Sequence, residues 1–163
     1  MRTIKLKQLS PEFCQKYGGY VNLLENLTTS QDGPVAFHPD KVVQTISSHM
    51  VGMSLLEVRP RPLVVDETEY HNYTSESMLP IDCDMITHVA PAAPGGQPKP
   101  DDFEAYLIPK GTLLTIRPGV WHHATYTLPG ESGHCLIVLP ERTYTNDCVC
   151  MTLPQDDQIK IEL

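Results

Sequence analysis

Much that would assign this chain to a class is missing from it. No stretch of its 163 residues approaches the roughly 20 consecutive apolar residues of a membrane-spanning helix, so no membrane partner is expected. Basic residues are in deficit. Twelve Lys and Arg against 20 Asp and Glu give a formal charge of −8, and no Lys/Arg cluster offsets it. Such a surface repels a phosphate backbone, so no nucleic-acid partner is expected. The five cysteines (Cys14, Cys83, Cys135, Cys148 and Cys150) form no CxxC pair. Their odd number favours reduced thiols and a cytoplasmic setting. Cys148-Val-Cys150 could hold a metal, but two small buried residues on one strand face are the simpler reading. The N-terminus, Met1-Arg-Thr-Ile-Lys-Leu-Lys-Gln8, is amphipathic rather than an apolar signal core, so secretion is not expected.

Helical periodicity is also scarce, whereas proline is plentiful. Fifteen prolines cut the chain into short β-prone runs. Candidate strands are Val51–Val58, Leu63–Val65, Ser77–Ile81, Asp84–Val89, Phe103–Ile108, Thr112–Ile116, His122–Leu128, Cys135–Val138 and Val149–Leu153. Ser10-Pro11-Glu12 starts one short helix through Phe13, Cys14 and Tyr17, which Gly18-Gly19 ends. Residues 28–42 and the Pro-rich stretch 90–100 read as loops. The length suits one domain over residues 1–163, and the pattern is all-β: a sandwich, a jelly roll or a barrel.

Two segments carry the chemistry. One reads Glu69-x-His71-x4-Glu76; the other reads Gly111-x5-Arg117-Pro118-Gly119-x2-His122-x3-Tyr126. On a strand, residues 69 and 71 share a face, and a bend returns residue 76 to it. Imidazoles and carboxylates brought to one point make a metal site or an acid/base site. His122 and His123 are adjacent and face opposite sides, so one of them is not a ligand. Arg59, Arg61, Lys110 and Arg117 are candidates for anchoring a carboxylate, with Arg117 foremost because it lies in the second segment. His38, His49, His88 and His134 read as structural or surface residues, and Trp121 as a packing residue.

The two segments resemble the paired cupin motifs, with Glu69 in place of a leading His, Arg117 in place of a Pro and Tyr126 in place of an Asn. Leu9-Ser-Pro-Glu-Phe13, Tyr17-Gly18, Met78-Leu-Pro80 and Val120-Trp-His-His123 extend the resemblance to the ureidoglycolate lyase (ureidoglycolate hydrolase) family over nearly the whole chain. That family commonly has a Gln where this chain has Glu76.

The resemblance implies a cupin double-stranded β-helix, a jelly-roll barrel with a short N-terminal helix. It implies a lyase cleaving a small 2-hydroxy acid, ureidoglycolate to glyoxylate and urea, in purine (allantoin) catabolism. Glu69, His71, Glu76 and His122 would be catalytic and would bind a divalent metal, which is Ni, Zn, Fe or Mn. The cupin spacing favours His122 over His123, and Glu69 over Glu67. Arg117, Arg59, Lys110 and Tyr126 would contact substrate. A homodimer is expected by analogy, with the N-terminal strand Arg2–Leu6 extending a sheet between subunits. The alternatives are another metal-dependent cupin, such as a sugar isomerase, epimerase or dioxygenase, and a non-catalytic small-ligand binder.

Overall fold

A computed structural model describes residues 1–25, 34–93 and 96–163. Residues 28–33 of the first expected loop, and Pro94 and Gly95 of the second, lie outside the described residues. The chain begins with β1 (Arg2–Gln8), α1 (Pro11–Lys16) and β2 (Gly18–Asn22). Next come β3 (Val51–Val58), β4 (Val64–Val65), β5 (Glu67–Tyr70), β6 (Glu76–Pro80) and β7 (Met85–Val89). The second half holds β8 (Glu104–Ile108), β9 (Thr112–Ile116), β10 (Tyr126–Thr127), β11 (Gly133–Pro140), α2 (Thr143–Asn146), β12 (Val149–Thr152) and β13 (Ile159–Glu162). The all-β expectation holds.

The strands form a six-stranded sheet in the order β10-β7-β8-β1-β13-β4 and a five-stranded sheet in the order β2-β9-β6-β11-β3. A two-stranded ribbon joins β12 to β5. Period-two burial explains the layering. In β11, Cys135, Ile137 and Leu139 are buried, whereas His134, Leu136 and Val138 are only half-buried. Met85, Tyr106 and Ile108 from the six-stranded sheet pack with Met78, Leu114, Ile116 and Ile137 from the five-stranded sheet, so the two sheets face each other across one core. Each fully buried side chain of this size, such as Met78 or Leu114, contributes roughly 1.5–3 kcal/mol. The other face of the six-stranded sheet carries a second cluster around Ile86, Ala105, Trp121, Tyr126 and Ile159.

Three local expectations differ from the fold. Gly18 and Gly19 do not merely end the helix; they open β2, which pairs with β9. Gly18 is required there because a Cβ would lie 1.7 Å from the Thr115 carbonyl oxygen. The expected strand over His122–Leu128 is broken. His122 bridges to Glu69, whereas Tyr126 pairs with Ile86 in β7, so the chain changes sheets between them. Finally, β1 lies inside its own sheet, Arg2–Lys5 pairing with β13 and Leu6–Gln8 with β8. This strand is therefore used within the chain rather than at a sheet edge.

Candidate metal centre

The centre is assembled by backbone pairing. Glu69 N–H donates to the His122 carbonyl at 2.6 Å, and His122 N–H returns the bond to Glu69 at 2.8 Å. Directly opposed residues of an antiparallel pair put their side chains on one face. His71, two residues beyond Glu69, has the same parity, and its carbonyl accepts the Gly119 N–H at 2.7 Å. Gly119 sits at φ +80°, a conformation that favours glycine, so the Pro118-Gly119 turn can reach back to His71. The chain then bends through Asn72–Ser75 and delivers Glu76 at the start of β6. Asp147 holds that bend: its carboxylate accepts the Asn72 N–H at 2.7 Å and the Tyr73 N–H at 2.9 Å.

The ligand atoms of Glu69, His71, Glu76 and His122 all lie within 4.8 Å of one another. Glu76 Oε2 is 3.0 Å from His71 Nε2 and 3.3 Å from His122 Nε2. The other nitrogen of each ring faces a backbone carbonyl. His71 Nδ1 is 2.6 Å from the Asp147 oxygen, and His122 Nδ1 is 2.8 Å from the Val120 oxygen. A carbonyl only accepts, so each Nδ1 must carry the proton. In the neutral ring, each Nε2 then presents a lone pair to a carboxylate that presents lone pairs in return. That arrangement needs a positive charge between the groups. The donor set, with tautomers fixed by backbone carbonyls, fits a divalent metal ion.

Without an ion, the same need appears as shifted protonation. Burial opposes charge on Glu76, but hydrogen bonds from His122 and His71 outweigh it and hold the carboxyl at about 2. Burial likewise opposes charge on His71. The Glu76 carboxylate and the Asp147 carbonyl overcome it and raise the His71 pKa.

The structure brings these four residues together and leaves the expected substrate contacts elsewhere. Arg117 turns its guanidinium to the end of α1, donating to the carbonyls of Cys14, Gln15 and Gly18. Tyr126 is buried in the second cluster, where its hydroxyl donates to the Val64 carbonyl at 2.9 Å. Lys110 lines an acidic groove with Asp82, Asp84 and Glu131. Arg59 is exposed and pairs with Glu57 at 2.9 Å. His123 is not a member of the four-residue group; its Nε2 lies 3.8 Å from Glu67 Oε2. His88 is not a surface residue. It is fully buried beside Phe103 and Tyr126, and desolvation drives its pKa well down.

A pocket of about 120 Å³ opens at the centre, and its lining includes Leu55, Leu56, Glu69, Glu76, Ala124 and Tyr144. It is well below the ~300–1,000 Å³ of sites for drug-sized molecules, so it suits a small ligand. A neighbouring groove shares Leu56 and Ala124 and adds Arg59 and Arg61. The Arg61 guanidinium lies 3.9 Å over the Tyr126 ring and donates to the Ala124 carbonyl at 2.7 Å.

Two features escaped the sequence. Asp147 lies far along the chain from the loop it holds, and no local motif marks it. Cys148 and Cys150 are not two buried small residues: Cys148 is half-buried and Cys150 exposed. Cys148 lies just before β12, which pairs with β5 and sets Cys150 opposite Glu69.

Two facing sheets with imidazoles and carboxylates converging on one point make this an all-β protein with a candidate metal centre. The model of the ureidoglycolate lyase family matches residues 1–162, and the chain belongs to that family. Among solved structures it is similar to a dTDP sugar isomerase from Desulfovibrio desulfuricans G20. The identity is 14%, over 75% of this chain and 73% of that one, with a TM-score of 0.47. It is also similar to a deletion mutant of Bacillus subtilis oxalate decarboxylase. There the identity is 15%, over 64% of this chain and 24% of that one, with a TM-score of 0.43. The chain thus spans about a quarter of that decarboxylase. No curated protein matches it in sequence.

Proposed function

We propose that this protein is a metal-assisted lyase that cleaves ureidoglycolate to glyoxylate and urea. The observation that carries the reading is the convergence of two Nδ1-anchored imidazoles and two carboxylates beside a small pocket. Membership of the ureidoglycolate lyase family supports the reaction class. A non-catalytic binder would call for a pocket lined by aromatics, with these four residues paired off or turned outward. Here Tyr144 is the one aromatic side chain in the lining, and the four residues face one another.

His71, Glu76 and His122 would hold the ion, which would supply a Lewis acid for the substrate's carboxylate and carbinol hydroxyl. Glu69 is the half-buried member of the set and borders the pocket, so it is the group positioned to move protons. Its carboxylate takes the hydroxyl proton as the O–H electrons form the aldehyde C=O. The C–N bond breaks and its electron pair leaves with the ureido nitrogen. Glu69 returns the same proton to that nitrogen, which gives urea and leaves glyoxylate, so no net proton is needed. Arg61 in the adjoining groove, where Arg59 is paired with Glu57, gives an acidic protein a local cationic approach for an anionic substrate.

The functional unit we propose is a cytoplasmic homodimer. The five cysteines are free, in keeping with a reducing compartment. Strand β3 is a sheet edge and exposes Met53 (76%) and Leu55 (64%) on one face, as a covered edge would. Among the described residues, no helix is long and apolar enough to cross a membrane. The test is metal analysis of the purified protein with urea and glyoxylate release assayed before and after chelation. Release that stops on chelation supports the reading; release at an unchanged rate from metal-free protein refutes the metal's role.

A further inference from the structure

Strand β5 serves a second set of ligands on its other neighbour. β12 runs antiparallel to β5 with Cys150 opposite Glu69, and Cys148 lies two residues earlier on the same face. Cys148 Sγ is 3.1 Å from Glu69 Oε2, Cys150 Sγ is 3.5 Å from it, and the two sulfurs are 3.4 Å apart. All three donor atoms lie within 4.8 Å of one another. A tetrahedral ion with bonds of ~2.3 Å to sulfur and ~2.0 Å to oxygen spaces its ligands about 3.5–3.8 Å apart. The triangle present is within a few tenths of an ångström of that. The sulfurs are not joined in a disulfide, and Cys150 is exposed, so a fourth position opens to solvent.

We propose that Cys148, Cys150 and Glu69 form a second site, specific for a thiophilic divalent cation such as Zn²⁺ or Cd²⁺. Two soft sulfur donors select such an ion over the hard cations a carboxylate alone would take. Binding displaces the two thiol protons to solvent. The site shares Glu69 with the His/Glu centre. An ion held by the thiolates therefore engages the carboxylate that borders the pocket and inhibits turnover there. The binding step is independent of the lyase reading; the inhibition rests on it.

The test titrates Cd²⁺ into the full-length, metal-stripped protein kept reduced by a phosphine, reading the ultraviolet thiolate-to-cadmium absorption. The wild type should saturate that absorption at one ion per chain. Cys148→Ser/Cys150→Ser should abolish it while keeping the wild-type circular dichroism, since neither side chain is in the core. His71→Ala/His122→Ala should keep it, and Glu69→Gln should weaken the affinity roughly 10–100-fold. A wild type without the absorption overturns the proposal, as does a double-cysteine variant that retains it through Cys14, Cys83 or Cys135. In the turnover arm, Cd²⁺ should inhibit the wild type at the concentrations that fill the thiolate site and spare the double-cysteine variant. Equal inhibition of both overturns the coupling. A wild type that never turns over ureidoglycolate refutes the lyase reading and leaves the absorption result standing.

Discussion

Glu69 and His122 exchange both of their backbone hydrogen bonds, at 2.6 and 2.8 Å, and this bridge is what joins the two halves of the centre. The bridge is isolated from any longer strand pairing, so the centre depends on the turns that flank it. Pro118-Gly119 is tied to His71 on one side, and Asn72-Tyr73 is tied to Asp147 on the other.

Asp147 is therefore expected to position His71. Asp147→Ala removes the acceptors of two loop N–H groups and loosens the carbonyl that fixes the His71 tautomer. Metal affinity or activity should drop about 10–100-fold with overall stability changed much less. Parallel metal titration and thermal melts check this. Asp147→Asn, which keeps one acceptor oxygen, should recover part of the loss.

The metal-free protein should show a definite pH profile. Glu76 has a depressed pKa of about 2, so its contribution is complete above its unfolded value of 4.5 and is lost as pH falls toward 2. His71 has a raised pKa, so its contribution is complete below 6.5 and is lost as pH rises through the folded value. Both contributions are full between pH 4.5 and 6.5. A bound metal replaces the His71 proton, so metal-loaded protein should not lose that stability on the alkaline side. Melting temperature against pH, with chelator and with metal, separates the two curves.

Gly18→Ala tests the pairing of β2 with β9. The new Cβ would meet the Thr115 carbonyl, which is backbone and cannot rotate away. We expect about 4 kcal/mol of destabilisation or outright failure to fold. A denaturant midpoint within ~0.5 kcal/mol of wild type would mean that the strands do not approach so closely.

Leu55→Asp and Met53→Asp test the homodimer. Each places a charge on the exposed apolar row of β3 and should shift the light-scattering mass from dimer to monomer. An unchanged mass would locate the interface elsewhere.

The grouping of Glu69, His71, Glu76 and His122 was legible in part from strand parity, which puts residues 69 and 71 on one face, and in part from the resemblance to the cupin motifs, which chose His122 over His123 and Glu69 over Glu67. Arg117 was misleading because a charge on a motif strand says nothing about which way the side chain turns; the carbonyls at the end of α1 claim it. Tyr126 fell to the opposite face because its partner, Ile86, belongs to the second cluster. Strand β13 alternates Ile159 and Ile161 with Lys160 and Glu162, but four residues make a weak signal. The closeness of Cys148 and Cys150 to Glu69 depends on how β12 registers with β5, and register between distant segments is not written in either segment.

The central claim is that Glu69, His71, Glu76 and His122 form a metal centre that cleaves ureidoglycolate. The most direct measurement is glyoxylate release from ureidoglycolate by one preparation, first stripped of metal and then reloaded with Ni, Zn, Fe or Mn in turn. The account predicts release that disappears on stripping, returns with at least one of these ions, and stays absent in His71→Ala/His122→Ala. Undiminished release by fully stripped protein, or none with any of the four ions, would contradict it.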